Sequence, residues 1–411
     1  MNNNKFDIVG VSVIGGYYQY KKLLKISEAI NKSKNRPLYI IGGHGPSPDP
    51  GFFLKKTLAD VVVIGEGEKT IIKLIDAYGN RRSFEPIKGI AYRDGNKVKI
   101  NEKRSLIKDI DTIPYPAYER FSMEYYRMLR SAGAAPFMKN SDFFMSMLSG
   151  RGCLFECNFC YRMDKGLRTR KDEYIIDEMK MLNRDYGITF ISFADELLMS
   201  SVSRVESLCE NIIKAKIDIQ WMCNGRLNYA KPALLKLMKK AGCVCINYGV
   251  EAMDDLVLKN MNKGLTVKQV IKGVEATLDV GITPDLNITF GNIGDNIKTL
   301  GKGVEFLLKY DTCFKLRTIR PVTPYPGSPL YYNAIEKGLI KDCEDFYHNK
   351  HVNSDLLTVN FTQLSDEEFY NCLRDANIRL IKNYYHKKCT SAITVAGNLY
   401  INKESNFRGF R

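Results

Sequence analysis

Gly150-Arg-Gly-Cys153-Leu-Phe-Glu-Cys157-Asn-Phe-Cys160-Tyr161 decides how the rest of the chain is read. Three cysteines stand at C-x3-C-x2-C spacing, directly after the strand-like run 143–148 (FFMSML). Three thiolates in one short loop can each ligate one iron of a cubane cluster, leaving the fourth iron without a protein ligand. An open metal position is a place for substrate or cofactor. Glycines around the first cysteine let the loop wrap closely. A zinc site would want a fourth ligand at zinc spacing. None stands beside the motif, although Cys209 or Cys223 could approach in space. Three unrelated buried cysteines are the bland alternative.

Downstream of the motif, apolar runs recur at 188–193 (ITFISF), 218–223 (DIQWMC), 243–248 (CVCINY), 283–290 (TPDLNITF) and 315–320 (KLRTIR). Helical patterns lie between them, for example at 173–186 and 203–215. With 143–148 these make six βα units, which predicts a partial (β/α)6 TIM-type barrel over 141–335. Barrel chemistry sits at the carboxyl ends of strands. The residues there are Phe193-Ala-Asp195-Glu196, Asn224-Gly225-Arg226 and Gly249-Val250-Glu251, then Phe290-Gly-Asn-Ile-Gly294-Asp295.

Upstream, 7–13 (DIVGVSV), 37–41 (PLYII) and 61–64 (VVVI) read as strands. Helices are predicted at 20–34 and 69–78. The alternation implies a truncated Rossmann-like parallel-sheet domain over 1–84. Its strands end in Gly42-Gly43-His44-Gly45-Pro46 and Gly65-Glu66-Gly67-Glu68, where ligands of such sheets bind. Residues 85–140 read as a linker with a small hairpin turning at Arg93-Asp94-Gly95-Asn96. Residues 336–411 read as a helical carboxyl-terminal region. The fold class is therefore α/β.

The chain has 411 residues and a net charge of +15, from 61 Lys and Arg against 46 Asp and Glu. The charge suits an anionic small molecule, though the lysines form no block and a solvated surface explains them as well. Eleven cysteines, eight of them scattered, fit a reduced compartment. No apolar run is long enough to span a membrane, and Met1-Asn-Asn-Asn-Lys-Phe-Asp7 lacks signal-peptide architecture. A cytoplasmic protein is expected.

The cysteine motif opening a βα-barrel resembles the radical S-adenosylmethionine (radical SAM) superfamily. That resemblance implies a 4Fe–4S cluster on Cys153, Cys157 and Cys160, with S-adenosylmethionine chelating the open iron. It implies one-electron cleavage to a 5′-deoxyadenosyl radical, with the electron from a donor such as flavodoxin or ferredoxin. It places Phe159 beside the adenine, Asp195 and Glu196 at the ammonium, Arg226 at the methionine carboxylate and Glu251 at the ribose. Thr323-Pro-Tyr-Pro-Gly-Ser-Pro329 resembles the segment that closes the barrel. The first domain is similar to the cobalamin-binding domain of one subgroup, in 40–46, 59–68 and 106–116. The subgroup's D-x-H-x-x-G motif is missing, and His44 lies in a different loop. Loss of cobalamin is therefore expected in preference to its retention.

The expected activity is hydrogen abstraction from a small, anionic substrate. The most specific form is a lyase releasing queuine from queuosine or its 5′-phosphate, a modified-nucleoside salvage step. The alternatives are a cobalamin-dependent radical SAM methyltransferase and a non-catalytic iron–sulfur protein that binds S-adenosylmethionine. Methylthiotransfer on RNA is set aside, because 1–152 holds no cysteine for a second cluster. Neither nucleic acid nor a membrane is an expected partner. Tyr17, Tyr18, Tyr20, Asn247, Asn287, Asn292, Arg317 and Arg320 are candidate cavity residues.

Overall fold

The computed structural model describes residues 6–128, 134–163 and 165–403. The signal-peptide reading of 1–5 and the last residues of the carboxyl-terminal region, 404–411, lie outside it.

The first sheet begins with β1 (Ile8–Ser12), β2 (Leu38–Gly42) and β3 (Val61–Val63), paired in parallel in that order. Leu38, Tyr39, Ile40 and Ile41 are all buried, as a central strand covered on both faces requires. The connecting helices are α1 (Tyr17–Asn31), α2 (Pro50–Thr57) and α3 (Glu68–Gly79). The helix expected at 20–34 starts three residues earlier, straight after Gly16.

The expected parallel sheet is in fact mixed. Strands β4 (Ile90–Asp94) and β5 (Lys97–Ile100) are the hairpin expected as a linker, and β4 pairs antiparallel with β3. β3 is only three residues long, about 10 Å. The segment 80–89 can therefore run back past it and deliver the chain to the far end. β5 is the outer edge and carries exposed Lys97 and Lys99, charges that discourage edge-to-edge pairing.

A short helix α4 (Met123–Met128) precedes the second sheet. That sheet is an open parallel half-barrel. Its strands are β6 (Phe144–Met147), then, beyond a hairpin of β7 (Gly150–Cys153) and β8 (Gly166–Thr169), β9 (Phe190–Phe193), β10 (Gln220–Gly225), β11 (Cys243–Glu251), β12 (Thr283–Phe290) and β13 (Arg320–Pro321). The hydrogen-bonded order β6-β9-β10-β11-β12-β13 follows the chain. Helices α5 (Asp172–Tyr186), α6 (Val202–Ala215), α7 (Pro232–Lys240), α8 (Asp255–Asn260), α9 (Val267–Asp279) and α10 (Ile297–Tyr310) connect the strands. Capping boxes start α9 (Thr266 with Gln269) and α10 (Asn296 with Thr299). The strand expected at 315–320 contracts to two residues, because Lys315 and Arg317 turn to Asp285 on β12 at 2.6 Å each.

The carboxyl-terminal part is helical, as expected: α11 (Pro329–Glu336), α12 (Cys343–Asp345) running into a π-helical turn, and α13 (Asp366–Tyr400). α11 and that turn pack on the first sheet, joining Leu330, Tyr331, Phe346 and Tyr347 to the core of β1, β2 and α2. The first half of α13 packs on the half-barrel through Phe369, Leu373, Ala376 and Leu380. No helix among the described residues is long and apolar enough to cross a membrane.

Candidate active site

The three cysteines lie on and just after β7, at the mouth of the half-barrel. Asn158, between the second and third of them, fixes the loop. Its amide donates to the Met261 carbonyl at 2.8 Å, and its carbonyl accepts from the Leu330 amide at 2.8 Å. Its side chain meets Asn260 and the buried Asn292. Asn262 Nδ2 donates to the Glu156 carbonyl at 2.9 Å. Asn292 thus supports the loop and does not line a cavity.

Gly152 has φ +86, and a Cβ there would overlap the Gly166 carbonyl across the hairpin. Gly152→Ala is expected to cost about 1–3 kcal/mol and to lower iron uptake. Unchanged iron content in the reconstituted variant would show that the loop tolerates the shift.

Cys153 is partly buried and Cys157 buried, while Cys160 opens on a cavity of about 330 Å³ with Phe159, Tyr161, His44 and Tyr325 in its walls. Although Cys160 is exposed as a residue, desolvation by the surrounding loop pushes its thiol up to about 12, with the neighbouring Cys157 and Glu251 adding to it; burial raises Cys157 too. Lys263 opposes both shifts.

Arg226 is 6% exposed, with its guanidinium 3.4 Å from the centroid of the Phe155 ring and beside Cys157. Its Nε and Nη2 are buried without an acceptor. A buried cation with spare donors next to two thiols suits a bound anionic group. No group of three or more His, Cys, Asp or Glu among the described residues is set around a single ion. Three thiolates on three irons of a cubane stand further apart than three on one zinc. The donor set here, soft thiols backed by Arg226 and Lys263, fits an iron–sulfur cluster with an anionic ligand beside it.

Glu251 ends β11 at a register shift, with φ +69, a left-handed backbone that side chains adopt at a cost. Its carboxylate meets Lys263 Nζ at 3.1 Å. A Cβ on Gly249 would overlap that carboxylate, so a larger residue there would push the Glu251–Lys263 pair aside. Lys263 also lies 5.8 Å from the centroid of Phe159. Sequence reasoning missed Lys263, a lone lysine in a turn; its one signal is a position twelve residues past Glu251.

The two neighbouring acids of the second barrel strand part company. Asp195 is 2% exposed and accepts from the Ser149 amide (2.7 Å) and hydroxyl (2.5 Å), with Arg204 at 3.5 Å. It ties β9 to β6, so its carboxylate is committed within the protein and is not available to an ammonium as expected. Glu196 is exposed and faces His44 Nε2 at 3.9 Å.

Across the inner wall, Asn224, Asn247 and Asn287 form a ladder that Arg317 continues at 3.3 Å. Arg317 is balanced by Asp285 and Asp311. Arg320 instead pairs with Asp355 on the surface, and Tyr20 is buried against Tyr347 and His348. Tyr18 is 64% exposed, and Tyr17 meets its ring edge-on; neither lines the 330 Å³ cavity.

Asp295, after β12, accepts from the Gly291 and Asn292 amides at 3.0 Å and from Thr299. Burial nevertheless raises its pKa to about 6. The folded protein keeps this proton where the unfolded chain has lost it. Stability present near pH 4 is therefore lost as pH rises through about 6, by about 3 kcal/mol. Asp295→Asn is expected to flatten that fall, read as thermal midpoints across the pH range; an unaltered slope would count against it.

A second cavity, of about 420 Å³, lies between the first sheet's strand ends (His44, Gly65, Glu68) and the cysteine hairpin (Gly150, Arg151, Arg168), with Glu196 at its edge. Glu66, 5% exposed at its side chain, accepts from Arg151 (2.9 Å), Arg168 (2.7 Å) and the Ile107 amide (2.9 Å). Burial would raise its pKa, yet the Ile107 amide, Arg168 and Arg151 hold it below the usual carboxylate range. Arg151 also meets Glu68 at 2.5 Å.

Residues 147–307 match the Radical SAM superfamily, and residues 1–75 match the B12 binding domain. The chain thus carries a radical SAM domain with a B12 binding domain ahead of it. It is 29% identical over 339 residues to an uncharacterized methyltransferase of Pyrococcus horikoshii, covering 81% of this chain and 70% of that one. It is 26% identical to an anaerobic magnesium-protoporphyrin IX monomethyl ester cyclase of Rubrivivax gelatinosus, covering 83% of this chain and 61% of the cyclase. Its fold is shared with the radical S-adenosylmethionine methyltransferase TsrM of Kitasatospora setae, whose structure holds cobalamin and a 4Fe–4S cluster. The TM-score is 0.67 at 19% identity, over 82% of this chain and 68% of that one. The chain is thus a radical SAM enzyme, for which a 4Fe–4S cluster and S-adenosylmethionine are the implied cofactors and a reductant the implied partner.

Proposed function

We infer that this enzyme is a cobalamin-dependent radical SAM methyltransferase acting on a small molecule, with Cys153, Cys157 and Cys160 as the cluster ligands. The observation that carries the reading is the 420 Å³ cavity, which sets the strand ends of the B12 binding domain against the cysteine hairpin. The named methyltransferase relative supports it and gives no support to the lyase in nucleoside salvage. This reverses the expected loss of cobalamin.

When bound, the cluster supplies the electron for cleaving S-adenosylmethionine, and cobalamin supplies a carrier for methyl. The chain's residues bind and orient. Arg226 offers its two spare donors to the methionine carboxylate, and Phe159 packs on the adenine. Glu196 accepts from the ammonium. Glu251, steadied by Lys263, accepts from the ribose hydroxyls.

The test is anaerobic incubation of the cluster-loaded chain with S-adenosylmethionine and reductant, with and without hydroxocobalamin. Formation of S-adenosylhomocysteine and methylcobalamin only when the corrinoid is present supports the reading. 5′-Deoxyadenosine without any methyl transfer, or no corrinoid binding to a fully loaded protein, overturns it.

A further inference from the structure

The Glu251 carboxylate is buried close to the cysteine loop. On top of burial, its charge pushes the thiols of Cys157 and Cys160 up. One-electron reduction makes a cluster on those thiolates one unit more negative, and net charge beside a cluster is one of the levers on its potential. A buried carboxylate left alone here would oppose the incoming electron. Lys263 answers it. The lysine is 7% exposed, meets Glu251 Oε1 at 3.1 Å and stands 5.8 Å from the centroid of Phe159, the neighbour of Cys160. Its charge acts on Cys157 and Cys160 with the opposite sign.

The turn that carries Lys263 is tied to the same loop. After α8, the Met261 carbonyl accepts from the Asn158 amide at 2.8 Å, and the Asn260 carbonyl accepts from Asn158 Nδ2 at 3.1 Å. Asn262, with φ +53, takes a left-handed backbone that asparagine tolerates, and its side chain donates to the Glu156 carbonyl. The Lys263 amide closes on the Leu258 carbonyl at 2.9 Å. The ammonium therefore keeps a fixed place relative to the cysteines. A well-packed apolar pair could fill this corner as well. What only the ion pair supplies is a field at the loop. Arg226, the other cation beside Cys157, keeps donors spare for an incoming anion, whereas Lys263 is already committed to Glu251.

We propose that Lys263 is a positioning residue that sets the reduction potential of the cluster, holding the Glu251 carboxylate in place and cancelling its charge at the cysteine loop. The proposal rests on Cys153, Cys157 and Cys160 holding the cluster and is independent of cobalamin. The step concerned passes one electron from the reductant to the cluster, with no bond made or broken in the protein.

An anaerobic redox titration of the full, cluster-loaded chain reads this without turnover. Titanium(III) citrate is the reductant, S-adenosylmethionine is left out, and the paramagnetic resonance signal of the reduced cluster is followed. Lys263→Gln still donates to Glu251 but carries no charge. Its ratio of reduced to oxidised cluster at a fixed poise should fall about tenfold, a shift of about 59 mV to lower potential for a one-electron couple. Glu251→Gln leaves the lysine unopposed and should shift the potential the other way. The double variant Lys263→Gln/Glu251→Gln should return close to wild type, and Lys263→Arg should retain the wild-type value. Iron content shows whether each variant is loaded. A wild-type potential in loaded Lys263→Gln overturns the proposal. So does a double variant that stays as low as Lys263→Gln, because damage to the loop and not charge would then explain the shift. If Lys263→Gln fails to load, Glu251→Gln decides alone, and an unshifted potential there overturns the proposal. A wild type that gives no reducible cluster overturns the cysteine assignment itself.

Discussion

Cys157→Ala, reconstituted anaerobically, is expected to hold little iron and to yield 5′-deoxyadenosine no faster than a protein-free control. Cys157 is 6% exposed and sits beside Arg226 and within the field of Lys263, two cations that counter part of the burial penalty on its thiolate. Removing it leaves two ligands for a cluster that needs three, and leaves Arg226 buried with a further donor unmatched. Cys389→Ala is the control: that thiol is exposed on α13 and should leave iron content unchanged. Wild-type iron and turnover in Cys157→Ala would remove the cysteine motif from the chemistry.

Glu66→Ala is expected to be the most destabilising single change outside the apolar cores, at about 3–5 kcal/mol. The carboxylate is 5% exposed and serves two guanidinium groups and one backbone amide. Its loss leaves Arg151 with Glu68 alone and Arg168 with only the Ile107 carbonyl, each arginine at most a quarter exposed. Glu66→Gln keeps an acceptor for Ile107 and should lose less. Because the folded pKa lies below the usual range, this stabilisation is present above that range and fades as pH falls through it. The same change leaves Arg151, two residues ahead of Cys153, held by Glu68 alone, so turnover should drop along with the denaturant midpoint. A midpoint within experimental error of wild type would mean that water already serves these arginines.

The barrel was legible because its strands are short apolar runs with helical patterns between them, and the cysteine loop because its spacing is local. β13 was misread because KLRTIR alternates like a strand, while its Lys315 and Arg317 answer to Asp285, thirty and thirty-two residues back. The antiparallel β4 and β5 were read as a separate hairpin, since sequence shows a turn but not which sheet it joins. Asp195 and Glu196 looked equivalent; only the position of Ser149 and Arg204 separates a strand tie from an exposed carboxylate at a cavity edge. The contacts of Glu66 span 85 and 102 residues and leave no local mark. His44, read as an ordinary loop histidine, stands at the junction of two cavities.

The pairing of Glu66 and Glu68 with Arg151 and Arg168 also bears on how such an enzyme can change over generations. The cysteine hairpin is completed electrostatically by residues from a neighbouring module. A chimera taking its amino-terminal domain from elsewhere would assemble a sound hairpin only if the donor brings acids to the same two points. Exchanging one module without the other would leave Arg151 and Arg168 short of carboxylates, a cost met in folding before catalysis is reached.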